Sequence, residues 1–139
     1  TYLPDRKPTY FDRVTVLALV AAIEAVKDAG LEGAAPFGSR TAVIVGTGIG
    51  SLSTIEEAAF NLIDGIRPDP LSVPRAMTSA SASHIGMLFG CTGPSFIVSS
   101  ACASSAQALG IARQMLRAGM CDRAIVAGTE AILTPGGMK

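Results

Sequence analysis

Cys102 is the residue of this chain best placed to do covalent chemistry. It lies in Ser99-Ser100-Ala101-Cys102-Ala103-Ser104-Ser105-Ala106-Gln107-Ala108-Leu109-Gly110, after the apolar β-type run Phe96-Ile97-Val98 and at the opening of a small-residue segment with helical spacing. A cysteine is therefore set where a strand ends and a helix begins. Backbone N–H groups at a helix start lack intrahelical partners, and the helix carries partial positive charge there. Both effects favour a thiolate, which is the nucleophile, and the same N–H groups can hold a developing oxyanion. The competing reading is a small, inert core cysteine.

A cysteine nucleophile needs an acid or base partner, and His84 is the single histidine. It falls in an Ala/Ser-rich helical stretch with nothing to set it beside Cys102, and it reads as a packed, hydrogen-bonded side chain. Cys91, beside a turn, and Cys121, in a loop before Asp122, read as structural. Glu56, Glu57 and Glu130 read as helix-surface and strand-end carboxylates without a visible partner. Gly46-Thr47-Gly48-Ile49-Gly50 resembles a phosphate-binding turn, yet the GxGxxG spacing is not met. A tight turn where backbones pack closely is the preferred reading. Arg6, Lys7 and Arg13 form a basic cluster that fits a solvated loop or a docking point for an acidic partner.

The elements that must position these residues follow from pattern. Asp12 caps a helix running to about residue 29, with an apolar face of Val14, Leu17, Ala18, Ala21, Ala22, Ala25 and Val26, and Gly30 ends it. Residues 41–45 form an apolar run of strand length, the mark of a strand covered on both faces. Ser53-Thr54-Ile55-Glu56 has capping-box spacing and starts a helix to about residue 64. Residues 65–74 read as a proline-punctuated loop, 77–89 as a helix stopped by Gly90, and 95–99 as a strand. The helix after Cys102 extends to about residue 118, with Gly119 past its end. Its first half offers only Gln107 as a sizeable polar side chain and is expected to be buried, whereas Arg113, Gln114 and Arg117 reach solvent. Residues 124–128 form another buried strand. This order predicts a layered α/β fold with a largely parallel or mixed sheet.

Composition bounds the rest. The chain has 139 residues, enough for one sizeable core, with 49% hydrophobic and 16% charged residues, 15 glycines and no tryptophan. So apolar and small-residue-rich a chain is expected to bury surface against further polypeptide or a second subunit. Eleven basic residues balance eleven acidic ones, so no basic field points to nucleic acid or to an acidic membrane. Three cysteines without a CxxC pair argue against a disulfide framework or a zinc site and favour a reducing, cytoplasmic setting. No uncharged apolar run approaches bilayer length, and the polar, proline-broken start is unlike a signal peptide. The first residue is Thr and neither end resembles a domain boundary, so the chain is expected to be a fragment.

At Ser100-Ala101-Cys102-Ala103-Ser104-Ser105 the sequence resembles the β-ketoacyl synthases, the condensing enzymes of fatty-acid and polyketide synthesis. Asp28-Ala29-Gly30-Leu31, Val43 to Gly50, Val73-Pro74, Gly93-Pro94-Ser95 and Ala127-Gly128-Thr129-Glu130-Ala131 fall in the family's order, so the resemblance covers nearly the whole chain. It is strongest to the elongating synthases that act on carrier-protein-bound chains. The resemblance implies a thiolase-like fold, two similar α/β halves in an α-β-α-β-α arrangement. This chain corresponds to the first half, with a mixed sheet, and lacks that half's opening strand.

By the same resemblance Cys102 accepts the acyl chain from the carrier's phosphopantetheine thiol, and its N–H is one oxyanion donor. Ile49 falls where the family often keeps a bulky side chain gating the acyl pocket, and Met77 in the segment lining that pocket near the dimer seam. The strand from Phe96 to Ser100 matches the one that pairs with its symmetry mate in a homodimer. Arg6 and Lys7 lie near a region that helps dock the acidic acyl carrier protein in relatives. No cofactor and no metal are implied. The two histidines and the lysine that decarboxylate the malonyl donor belong to the family's second half and have no counterpart here; His84 is not one of them. Thr129 stands where many relatives have glycine. A cysteine at position 102, rather than glutamine, is unlike the inactive partner subunit of some polyketide systems. Two other readings are a thiolase-fold enzyme acting on coenzyme A esters and a non-catalytic truncated homologue used for dimerisation or carrier binding.

Overall fold

In the computed structural model, which describes residues 10–138, the apolar runs become three parallel strands. Arg6, Lys7 and the prolines at positions 4 and 8 lie outside the described residues. The central strand β1 (Thr41–Gly46) lies between β2 (Ser95–Val98) and β3 (Arg123–Gly128). Gly46 is in register with Val98 on one side and with Gly128 on the other, so all three strands finish at one edge. Both pairings are parallel, which requires crossover connections that the intervening helices provide. A mixed sheet needs an antiparallel neighbour, and the described residues hold none.

β1 is buried at every position. Its Val43 and Val45 pack with Ala18, Leu19 and Ala22 of α1 (Arg13–Asp28) and Ile85 of α4 (Ala80–Phe89). On the other face Ala42 and Ile44 meet Ala108, Ala112 and Met115 of α5 (Ser104–Arg117). Helices on both faces of a parallel sheet make the layered α/β arrangement that the pattern predicts. At the opposite edge Arg40 grips Asp122, with Nη2–Oδ1 at 2.6 Å and Nε–Oδ2 at 3.1 Å. That guanidinium holds the Asp122 carboxyl below the usual carboxylate range, and the pair ties the beginnings of β1 and β3 together.

Two apolar faces differ from expectation. On α1 the buried residues are Val14, Thr15, Ala18, Leu19, Ala22 and Val26, while Leu17, Ala21 and Ala25 are exposed. Rows of spacing four run side by side on a helix; the row at 14, 18, 22 and 26 lies on the sheet, and the row at 17, 21 and 25 points away. On α5 only Ser104, Ala108, Ala112 and Met115 are buried, and the first half is otherwise exposed, with Leu109 at 62%. One stripe of α5 rests on the sheet, and nothing among the described residues covers its outer side. Ile63, Val73 and Leu133 are likewise exposed, at 79%, 73% and 85%. Exposed apolar surface of this kind marks interaction sites.

α2 (Leu52–Ile63) starts at Leu52 after Ser51, whose side chain makes no capping bond, so the capping-box reading of Ser53 and Glu56 does not hold. The cap comes from a distant residue instead. Asp12 accepts from the Val14 N–H at 3.0 Å to start α1, and from the Thr54 N–H at 3.0 Å, Thr54 Oγ1 at 2.7 Å and Ser53 Oγ at 2.8 Å to start α2. Sequence spacing shows only the first of these roles. The stretch read as a loop also contains a short helix, α3 (Ser72–Ala76). Asp69 opens it by accepting the Leu71 N–H at 2.7 Å, and Pro74 falls in the first turn, where a missing N–H costs nothing. Gly30, Gly90 and Gly119 end α1, α4 and α5 with positive φ, as the sequence predicts. No helix among the described residues is long and apolar enough to cross a membrane.

Replacing Asp12 with alanine strips the caps of both helices and leaves Thr54 buried without its acceptor. We expect Asp12→Ala to lower unfolding stability by about 3 kcal/mol, measured by chemical denaturation.

Candidate active site

The three strand ends at the Gly46–Val98–Gly128 edge lead into the segments that build a cavity of about 600 Å³. Crevices outside the carboxyl ends of parallel strands are where α/β folds bind ligands. After β1 come Thr47, Gly48 and Ile49; after β2 come Ala101 and Cys102; after β3 come Thr129, Glu130 and Ile132, and all line this cavity.

Cys102 reaches it through a sharp backbone reversal. Ala101 is the one non-glycine residue with positive φ, +50°, among the described residues, a conformation that a side chain disfavours. The reversal is held from inside by Ser104, which is buried at 3%. Its Oγ accepts the Ser100 N–H at 2.9 Å and donates to the Ala101 carbonyl at 2.7 Å. α5 then begins at Ser104, so Cys102 sits just before the helix start, exposed to the cavity.

The helix start can occupy this place because two strand ends carry no side chain. A Cβ on Gly46 would lie 2.6 Å from the backbone of Ser104 and Ser105, and one on Gly128 would lie 2.7 Å from the Ser105 Cβ. Neither distance is physically accessible, so any larger residue at either position displaces the first turn of α5.

The turn at residues 46–50 is tight, but its backbone has an anionic partner that the sequence does not reveal. The carboxylate of Glu130 accepts from the Gly48 N–H at 2.6 Å, the Ile49 N–H at 3.3 Å, the Gly50 N–H at 3.2 Å and Thr47 Oγ1 at 3.3 Å. Successive N–H groups in such a turn form an anion-binding concavity. The reading of Glu130 as an unpartnered carboxylate is therefore corrected. Two signals were present: a glycine turn with N–H groups to satisfy, and an acidic residue just past a strand.

Ile49 lines the cavity with Cys102 and is 52% exposed. Met77, 53% exposed, caps the end of α3 and is not among the cavity's lining residues. Its chain neighbour Thr78 meets the 46–50 turn, with Cγ2 3.1 Å from where a Gly50 Cβ would stand. His84 packs edge-on against Phe11, ring centroids 4.7 Å apart, and does not line the cavity. Cys121 is buried at 2%. Burial pushes the Cys91 thiol up, with Arg123 opposing. Glu56 accepts from Thr134 Oγ1 at 2.7 Å, and Glu57 faces Arg75 at 3.6 Å, so neither stands without a partner. Among the described residues no group of three or more His, Cys, Asp or Glu side chains could hold a metal.

Because Ala101 bears a side chain in a left-handed conformation, Ala101→Gly is expected to stabilise the protein by about 1 kcal/mol in thermal unfolding. Gly46→Ala is expected to destabilise it by about 2 kcal/mol or more through overlap with Ser104.

Residues 3–139 match the family described as the beta-ketoacyl synthase N-terminal domain. The chain is 36% identical over 139 residues to nodulation protein E of Rhizobium leguminosarum bv. trifolii, covering 99% of this chain and 35% of that one. It is 33% identical over 135 residues to 3-oxoacyl-[acyl-carrier-protein] synthase 2 of Staphylococcus aureus, covering 96% and 34%. It thus spans about a third of the length of these curated relatives. Among solved structures, the ishigamide ketosynthase/chain length factor superposes with a TM-score of 0.75 at 27% identity over 86% of this chain and 34% of that one. A type II polyketide ketosynthase in complex with its acyl-carrier protein superposes with a TM-score of 0.83 over 98% of this chain and 39% of that one; at 20% identity it speaks for the fold alone.

Proposed function

The chain belongs to the β-ketoacyl synthase family, and from that premise we propose that it holds the acyl-accepting part of a condensing enzyme, with Cys102 as the nucleophile. The observation that carries this reading is the exposed Cys102 at a strained strand-to-helix reversal, facing a cavity at the carboxyl ends of parallel strands. In the proposed reaction the Cys102 thiolate attacks the carbonyl of an acyl thioester. The tetrahedral oxyanion collapses, the acyl group stays on sulfur, and the carrier thiolate leaves and takes up a proton. The N–H groups of Ala103 and Ser104 are spent on the Ser100 and Ala101 carbonyls, so the Cys102 N–H is the donor we assign to the oxyanion.

The second step is decarboxylative condensation. A malonyl thioester loses CO₂, its carbanion attacks the acyl-cysteine carbonyl, and the Cys102 thiolate departs. We assign that step's acid–base groups to chain beyond these 139 residues, which we read as the partial N-terminal half of a longer synthase. The name of the staphylococcal relative, a 3-oxoacyl-[acyl-carrier-protein] synthase, favours carrier-bound substrates. Ile49, on the cavity wall, and Met77, next in the chain to the Thr78 that meets the same turn, are the residues we assign to the acyl chain. We further propose a homodimer formed through the free edge of β2, which pairs only with β1 among the described residues. The free thiols of Cys91, Cys102 and Cys121 suit a cytoplasmic protein.

The test uses the full-length gene product and an acyl-carrier-protein thioester. Wild type is expected to take up the acyl group, and Cys102→Ala to reduce that transfer on the order of a thousandfold or more, read by intact mass. The variant removes an exposed side chain, so its unfolding midpoint stays near that of wild type. Equal acylation of a folded Cys102→Ala protein would rule out the assignment.

A further inference from the structure

We propose that Glu130 is a positioning residue for acyl-chain selection: its carboxylate holds the 46–50 turn, and the Ile49 wall with it, in place over the Cys102 cavity. The inference rests on the reading of Cys102 as the acyl acceptor. Three successive N–H groups and one hydroxyl converge on this single side chain, the shortest contact being Gly48 N–H to Oε2 at 2.6 Å. Hydrogen bonds to an ionised acceptor are about twice as strong as neutral ones. The fit leaves no slack, because a Cβ on Gly48 would stand 2.8 Å from Oε2.

The turn is also held from its other side. Ser99 Oγ donates to the Gly48 carbonyl at 3.1 Å, and Ser99 precedes Cys102 by three residues. The turn therefore hangs between the chain that carries Cys102 and the chain that leaves β3. Among the described residues the Thr47 N–H is taken by the Val98 carbonyl at 3.2 Å, and Glu130 secures those of Gly48, Ile49 and Gly50. Glutamine at this position has one carboxamide oxygen, and its NH₂ would confront N–H donors. The turn then loses its fixed position while Cys102 and Ser104 keep theirs.

The experiment compares wild type, Glu130→Gln and Glu130→Asp as full-length proteins, with butyryl and palmitoyl thioesters of the carrier protein. Glu130→Gln is expected to shift the ratio of palmitoyl to butyryl transfer by about tenfold, the size of effect a changed apolar wall has on discrimination. Glu130→Asp keeps the charge with a shorter reach and is expected to shift the ratio in the same direction by less. Alkylation of Cys102 by iodoacetamide is expected to stay within about twofold of wild type, since a small reagent does not read the wall. Amide exchange at Gly48, Ile49 and Gly50 is expected to accelerate. An unchanged ratio in either folded variant overturns the proposal, and so does a fall in transfer of both chains matched by an equal fall in alkylation, which is the mark of a structural role only. Failure of wild type to take up either chain refutes the acyl-transfer reading instead, so the two failures are told apart.

Discussion

The first turn of α5 touches the ends of β1 and β3 so closely that neither Gly46 nor Gly128 has space for a Cβ. That contact, with the Ser104 and Ser105 backbone at Gly46 and with the Ser105 side chain at Gly128, fixes where the helix starts and therefore where Cys102 stands. It also explains the reversal at Ala101: the chain leaving β2 has only a few residues in which to turn onto a helix already seated against the sheet. The positive φ of Ala101 stores strain of about 1–3 kcal/mol, and the two hydrogen bonds of buried Ser104 offset part of it. Strain held by surrounding packing presents a reactive atom in one orientation.

The second constraint is electrostatic. A parallel sheet delivers three loops to one edge, and the loop after β1 arrives with a row of N–H groups. Such a row needs an anion, and Glu130 from the loop after β3 supplies it. The cavity wall is thus completed by chain segments 80 to 83 residues apart and joined to the cysteine's own loop by Ser99. Asp12 plays a comparable part farther back, starting α1 and α2 from one carboxylate. In both places an acidic side chain answers backbone donors that local sequence leaves unsatisfied.

Much of this was legible in the sequence because it is local. The apolar run of β1, the helix ends at Gly30, Gly90 and Gly119, and the cysteine between a strand and a helix all follow from patterns a few residues wide. What was not legible depends on tertiary placement. Ser53 and Glu56 have capping-box spacing, yet Asp12 takes the cap because α1 brings it there. Glu130 shows no partner in its own neighbourhood because its partners are set by the parallel register of β1 and β3. The small-residue first half of α5 predicts burial, but the sheet covers a single stripe, leaving Leu109 and its neighbours outward. The exposed apolar side chains on α2, α3 and α5 agree with relatives about three times as long, and this outer surface is where we assign the further chain.

On the proposed reading, the reversal at Ala101 singles out one sulfur of three as the nucleophile. Peptide mapping after limited reaction of the full-length protein with a cysteine-directed acyl-chain electrophile tests it most directly. The adduct is expected on Cys102, with the buried Cys121 and the half-buried, less acidic Cys91 unmodified. An adduct on Cys91 or Cys121 with Cys102 untouched would contradict the account.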